Sequence, residues 1–256
     1  MQSNAIRKTI LRMIHHSKSS HIWSALSMVD ILSVLYSWEL KKDDKVIVSK
    51  GHGWSALYAT LAEAGYIDKE WLIENYCQNG SKFGWHVTYG SIPEVHATAW
   101  SLWHGLPIWC GFALADNTRR VYVITWDGEL NEWSNWESAM FAYHHRLANL
   151  VWIIDRNGQQ SFGATSEIIN IHNLPWILTE FWWYVQQIDG NNVEEVKKAF
   201  QTISHDVPNV IIADTIKGKW ISFMEWKVEF HYRPPTDEQL ELALTELNQE
   251  SPWEIR

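Results

Sequence analysis

The sequence predicts an α/β fold: a doubly wound, mostly parallel sheet with helices on both faces. Three observations predict it. Five short apolar, β-branched runs recur along the 256 residues, longer helical patterns separate them, and no repeat, low-complexity tract or linker interrupts the series. Strands that are apolar along their whole length suit a parallel sheet covered on both faces. A chain of this length can bury a full core, so one domain over 1–256 is expected.

The elements follow in order. The N-terminal stretch Met1 to His15 sets Arg7, Lys8 and Arg12 among apolar residues at helical spacing and lacks the continuous apolar segment of a secretion signal. Residues 27–38 and 54–65 read as helices on either side of a strand at Val46–Val48. A helix over 101–115 leads into the strand Val121–Thr125, and one over 134–147 into Leu150–Ile154. The strand Val185–Ile188, a helix over 193–204 and the strand Val210–Ala213 complete the series. Lys217 to Pro235 reads as irregular and holds His231, before a last helix over 236–248 that opens near Thr236.

A formal charge of −9, with no basic run, argues against a nucleic-acid surface. Cys77 and Cys110 lack metal-ligand spacing and form no disulfide framework. No stretch is long and apolar enough to span a bilayer, so the cytoplasm is the expected compartment.

The chemistry concentrates at two strand ends. Asp127-Gly128 follows the strand Val121–Thr125, and thirty residues later Asp155-Arg156-Asn157-Gly158-Gln159 follows the next one. In parallel α/β sheets ligands collect outside the carboxyl ends of the strands. Two oxygen-bearing side chains there can converge on Mg²⁺ or Ca²⁺, and the following helix N-terminus favours phosphate. Each pair read singly is equally a turn: Asp127 a turn former, Asn157-Gly158 a tight corner.

Taken together, Ser-Lys-Gly-His at 49–52, Gln-Asn-Gly-Ser at 78–81, Asp-Gly-Glu-Leu-Asn-Glu at 127–132, Asp-Arg-Asn-Gly at 155–158 and Ile-Lys-Gly-Lys at 216–219 resemble the N-terminal subunit of split, thiamine-diphosphate-dependent transketolases, from about His21 to about Leu247. The resemblance implies a metal held by Asp127, Asn157 and the backbone carbonyl of Gln159, with Gly128, Glu129, Leu102, Asn157 and His52 at the cofactor. It implies that His21, His86 and His231 line the substrate channel as catalytic groups, His231 also lying near the diphosphate. Imidazole suits such work, because it donates to hydroxyls and phosphates and moves protons near neutral pH. Glu132 matches an acid of the subunit interface, although a helix-terminal Glu stabilised by the dipole fits the residue equally well.

The implied reaction is transfer of a two-carbon ketol unit from a ketose phosphate to an aldose. Its activating glutamate belongs to a pyrimidine-binding domain that this chain does not reach by Arg256. A partner subunit carrying that domain, in an α₂β₂ assembly, is therefore expected. The alternatives are a non-catalytic dimerising partner and a subunit of another thiamine-diphosphate enzyme, of deoxyxylulose-phosphate-synthase or E1 type.

One departure from the family is systematic. The chain has 18 Trp but 13 Gly, and 13 of 256 is about 5% against roughly 7% in average proteins. Trp23, Trp85, Trp100, Trp103, Trp126, Trp133, Trp182, Trp220 and Trp226 stand where the family has glycine, and Trp54 and Trp109 join the set. Drift to an inactive form scatters replacements among residue types, and deliberate cavity filling would hardly reach Trp182 or Trp226. UGA codons, read as glycine by some bacteria and as tryptophan in other codes, give this selective pattern. Glu94 and His96 depart independently, where the family has Gly and Glu, and bear on substrate specificity.

Overall fold

The computed structural model describes residues 2–84, 86–98 and 104–249. Over these, the helices run α1 (Ser3–Ser17), α2 (Ile22–Leu26), α3 (Val29–Val34), α4 (Trp54–Glu63), α5 (Lys69–Asn75), α6 (Gly105–Ala115), α7 (Trp133–His144), α8 (Thr165–Ile168), α9 (Leu174–Glu180), α10 (Val193–Gln201) and α11 (Asp237–Glu246). The strands are β1 (Lys45–Val48), β2 (Val121–Trp126), β3 (Leu150–Arg156), β4 (Gln159–Gln160), β5 (Gly163–Ala164), β6 (Tyr184–Asp189) and β7 (Asn209–Asp214). They divide into a helical unit, residues 1–37, 52–85 and 216–256, and a sheet unit, residues 38–51 and 86–215.

The sheet unit is built on five parallel strands in the order β1-β2-β3-β7-β6. All six residues of β2 are buried, as are the first six of β3, because helices cover both faces. Helix α6 packs on β2 and β3 and beside α7, while α9 and α10 pack on β6. The chain steps back from β6 to β7. This is the α/β architecture expected, and each expected strand is present, extended by one residue or two. The edge strand β6 holds only exposed and half-buried residues, in keeping with its place at the edge. Asn192 starts α10 by accepting the N–H groups of Glu194 and Glu195, whose carboxylates suit the positive end of the helix dipole.

Two buried charges lock the strand ends of this unit. Lys50 Nζ, just beyond β1, donates to Asp155 Oδ2 of β3 at 2.7 Å, with both side chains at most 1% exposed. Thr215, directly after β7, donates its hydroxyl to the other carboxylate oxygen of Asp155.

The helical unit packs α1 against α4 and α5. Ile6, Ile10, Leu11, Met13 and Ile14 form the buried stripe of α1. Helix α4 is buried along nearly its whole length, as its sequence of small and apolar residues requires. Arg7 and Asp30 form a buried ion pair at 2.5 Å. Thr236 and Gln239 close a capping box at the start of α11.

The expected helix over 27–38 differs from what forms. A separate helix, α2, precedes it; the segment itself opens with a turn at 27–28, where the Ser27 hydroxyl donates to the Ser24 carbonyl, and continues as α3 and a π turn at Leu35–Glu39. Serine competes in this way with the main-chain ladder. The part of the expected 101–115 helix before 104 lies outside the described residues. Helices α5, α8 and α9 and the β4-β5 hairpin are short and lacked a periodic signal.

Removing one partner of a buried pair leaves an uncompensated charge. Asp155→Ala is expected to lower the unfolding free energy by about 3–5 kcal/mol, measured by urea titration. Loss of less than about 1 kcal/mol would show that Lys50 finds water or another acceptor.

Candidate active site

Within the sheet unit the oxygen donors arise from two adjacent strand ends. Trp126 of β2 lies in register with Asp155 of β3, so the residues just beyond them emerge side by side. After β2 the chain tightens into a 3₁₀ turn, Asp127–Asn131. Glu129 holds that turn: its carboxylate accepts from the Ser49 hydroxyl at 2.5 Å and from the Trp126 amide at 3.0 Å. Asn135, from α7, donates to the Glu129 carbonyl at 2.7 Å. Asp127 is left at the mouth of the turn, 4% exposed.

Beyond β3, Asn157 is 2% exposed, and its amide donates to the Asp155 carbonyl at 3.2 Å. Its Oδ1 accepts from the Gln159 N–H, also at 3.2 Å. The Gly158 N–H donates to Asp127 Oδ2 at 2.7 Å, stitching the two loops together. Thr165 Oγ1 reaches the same Asp127 oxygen at 3.3 Å. Asp127, Arg156, Gly158 and Thr165 line a cavity of about 200 Å³. Arg156 is held there by two bonds to Asp214, at 2.5 and 2.8 Å.

The expected metal residues therefore lie on two loops joined by the Gly158 N–H to Asp127, with Asn157 and Gln159 on either side of Gly158. Gly128 and Glu129 share the same turn, the Glu129 carboxylate turned inward on Ser49. Leu102 lies outside the described residues. Ser49, Lys50 and Asp155 stand in the motifs quoted from the sequence but were assigned no role there, and Thr165 was not singled out. A lysine two residues beyond an apolar strand was the signal for the ion pair, since burial there calls for an acid.

In the helical unit three imidazoles gather. His21 starts α2 with φ 76°, and its amide donates to the His231 carbonyl at 3.0 Å. The ring centroids of His21, His52 and His231 are 4.6 to 5.0 Å apart, and one nitrogen of each falls within 4.8 Å of the others. His231 is 2% exposed and its Nδ1 lies 3.5 Å from the Ser24 hydroxyl. Such nitrogens could ligate a borderline metal. A hard cation favours the carboxylate and amide oxygens of the sheet unit.

His86, half-buried in the sheet unit, titrates below the ordinary histidine range, because burial penalises its charged form more than the Gly51 backbone bond supports it. His96 is lowered likewise, by burial and then by the Lys45 charge. Burial pushes the Cys110 thiol up to about 12 and that of Cys77 to about 11, so neither is a thiolate nucleophile at neutral pH. Glu132 sits half-buried at the N-terminus of α7 without a side-chain cap bond.

The family model described as "Transketolase, thiamine diphosphate binding domain" matches residues 1–255. The chain belongs to this family. It is 37% identical to one subunit of the apulose-4-phosphate transketolase of Actinobacillus succinogenes, over 97% of this chain and 95% of that one. It is 35% identical to 6-deoxy-6-sulfo-D-fructose transketolase subunit SqwG of Clostridium sp., over 97% and 96%. The fold matches the transketolase of Campylobacter jejuni with a TM-score of 0.89 at 26% identity, covering 96% of this chain and 42% of that one. This transketolase-family chain thus spans about two fifths of that single-chain structure and nearly the whole of the two subunits.

The residues fit the family's ligands unevenly. Buried carboxylate and amide oxygens at adjacent strand ends suit Mg²⁺ or Ca²⁺. A diphosphate needs close approach to main-chain N–H groups, and there the fit fails. The Trp126 ring lies on Gly128: a Cβ added at 128 would meet ring atoms at 2.6 to 2.8 Å. With indole at 126 the approach to the Gly128 backbone is filled.

Because the folded pKa of His86 lies below its unfolded value of about 6.5, the unfolded state binds the proton more readily. Its contribution to stability is full above about 6.5 and is lost as pH falls from there through the folded value. Imidazole NMR titration is expected to give His86 a midpoint below about 6.5, and a midpoint at or above that value would contradict the burial argument.

Proposed function

We propose that the chain is the metal- and diphosphate-binding subunit of a two-subunit transketolase, which moves a two-carbon ketol unit from a ketose phosphate to an aldose with thiamine diphosphate and Mg²⁺ (or Ca²⁺). The observation that carries the reading is the pair Asp127 and Asn157, both nearly fully buried at neighbouring strand ends and joined through the Gly158 N–H. Asp127, Asn157 and the Gln159 carbonyl would hold the cation. His52, Gly128, Glu129, Leu102 and His231 would stand at the cofactor. His21, His86 and His231 would donate to substrate hydroxyls and move protons between them. His86 suits this role because it is neutral at physiological pH and able to accept a proton.

The two compact units would then work as one thiamine-diphosphate domain over 1–256, in keeping with a family match that covers both. The proposed partner is a C-terminal transketolase subunit carrying the pyrimidine-binding domain, assembled as α₂β₂ with Glu132 at the contact. The names of the relatives, each given as one subunit, support a divided enzyme. No helix among the described residues is long and apolar enough to cross a membrane. We place the pair in the cytoplasm, where two unpaired cysteines remain thiols. Trp126 favours a second reading, a partner that dimerises without binding cofactor.

Calorimetry of the assembled pair against Mg²⁺ and thiamine diphosphate, with glycine restored at 126, separates the two. Binding is expected, and Asp127→Ala is expected to weaken it at least 10–100-fold, the order found for residues that merely support metal ligands. Absence of binding by the glycine form would defeat the enzymatic reading in favour of the second.

A further inference from the structure

Eight non-glycine residues of the described chain have a left-handed backbone, and three of them are tryptophan: Trp182 at φ 60°, Trp220 at 72° and Trp226 at 63°. A bulky side chain in that region is a steric outlier, because its Cβ crowds the main-chain carbonyl. The end of α9 shows what the backbone asks for. Trp183 N–H donates to the Leu178 carbonyl at 3.1 Å, and Trp182 N–H to that of Thr179 at 2.8 Å. These are the paired bonds of a Schellman end, whose left-handed position is usually glycine. Helix α4 ends in the same two bonds, Tyr66 to Leu61 and Gly65 to Ala62, with glycine at that position at φ 84°. The ring of Trp182 offers little in return: it is 65% exposed and only stacks on Tyr143. Trp226 is 54% exposed.

A second, independent observation separates the buried tryptophans into two kinds. Trp136, Trp152 and Trp183 donate their indole N–H to the Leu130 carbonyl, the Thr125 hydroxyl and the Ala139 carbonyl, at 2.8, 2.7 and 3.0 Å. Trp23, Trp54 and Trp109 are at most 2% exposed, yet their indole N–H groups find no hydrogen-bond partner among the described residues. A buried indole in a site evolved for it has a partner. Third, the Trp126 ring lies against Gly128, its atoms 2.6 to 2.8 Å from the place a Cβ there would occupy.

We infer that positions 182, 220 and 226, together with 23, 54, 109 and 126, carry glycine in the protein as its own cell makes it, through UGA codons read as glycine. One rule then accounts for strained backbone, unpartnered buried indoles and the ring against Gly128. It leaves untouched Trp136, Trp152 and Trp183 and the buried groups Lys50, Asp155, Asp127 and Asn157, and it removes the Trp220 N–H donation to Asp30 Oδ2, a long bond at 3.4 Å. Random decay has no reason to choose a single replacement, or to choose it where φ is positive.

The gene and the protein test this separately. UGA is expected at the seven codons and UGG at 136, 152 and 183; UGG at the seven overturns the assignment. In the purified chain, Trp182→Gly with Trp226→Gly is expected to raise the midpoint of thermal unfolding. Trp136→Gly with Trp152→Gly and Trp183→Gly is expected to lower it. An unchanged or lowered midpoint for the first variant counts against glycine at those positions. If the tryptophan form yields no folded chain, recovery of folded protein with glycine at all seven supports the inference, and continued failure opposes it. Stability is read without ligand, so the outcome does not depend on whether the chain transfers ketol units.

Discussion

The buried pair between Lys50 and Asp155 is the constraint on which the oxygen site depends. A lysine and an aspartate almost fully removed from water persist only if each satisfies the other. Their bond ties the loop after β1 to the end of β3, and the Thr215 hydroxyl extends the tie to the end of β7. Asn157, two residues beyond Asp155, is fixed through the Asp155 carbonyl. Three strand ends are thus held in register by one carboxylate, and the loops that carry the oxygen donors inherit that rigidity. Hydrophobic burial alone would shape the sheet without fixing those loops, because apolar packing is not directional.

The helical unit uses a different device. Its three imidazoles are gathered by backbone conformation: His21 adopts a left-handed geometry at the start of α2 and donates its amide to the His231 carbonyl. The division of donors has a chemical consequence. Acidic and amide oxygens are the ligands of a hard cation, and imidazole nitrogens prefer softer metals or hydroxyl and phosphate groups. The two units therefore need not compete for one ion. The lowered titration of His86 adds a neutral imidazole in the sheet unit, able to accept a proton near pH 7.

Much of this was legible in the sequence because the signals were local. Val121–Thr125 and Leu150–Ile154 announce central strands by continuous apolar character, and the polar residues directly after them announce the site. The break between α2 and α3 was not legible, since it turns on one serine hydroxyl choosing a carbonyl within its own helix. Nor was the role of Asp155. As the acid that opens Asp155-Arg156-Asn157-Gly158 it looked like a loop residue, and only the distant Lys50 makes it a core residue. Pairings separated by 105 positions leave no trace in periodicity. Glu129 illustrates the same limit: the bonds of its carboxylate to the Ser49 hydroxyl and the Trp126 amide were not legible in the sequence.

The tryptophans expose a conflict between levels that are normally consistent in an evolved protein. At position 182 the main chain makes both bonds of a Schellman end, so the backbone is settled by helix geometry and not by the side chain it carries. A left-handed residue with a Cβ costs about 1–2 kcal/mol, and three such tryptophans would consume a sizeable part of the roughly 5–15 kcal/mol by which domains are stable. Evolution tolerates strain of this kind at functional sites, where it serves a purpose. Trp182 and Trp226 are exposed, and neither lines the cavity beside Asp127. Position 126 is the opposite case: it adjoins the metal residue, and there the ring closes the approach that a diphosphate requires. One substitution class is thus purposeless where it strains the backbone and harmful where it touches the site, whereas the buried charges Lys50 and Asp155 have kept each other. A chain under selection to hold that pair would not relax selection at the neighbouring turn, and glycine at these positions removes the contradiction at both.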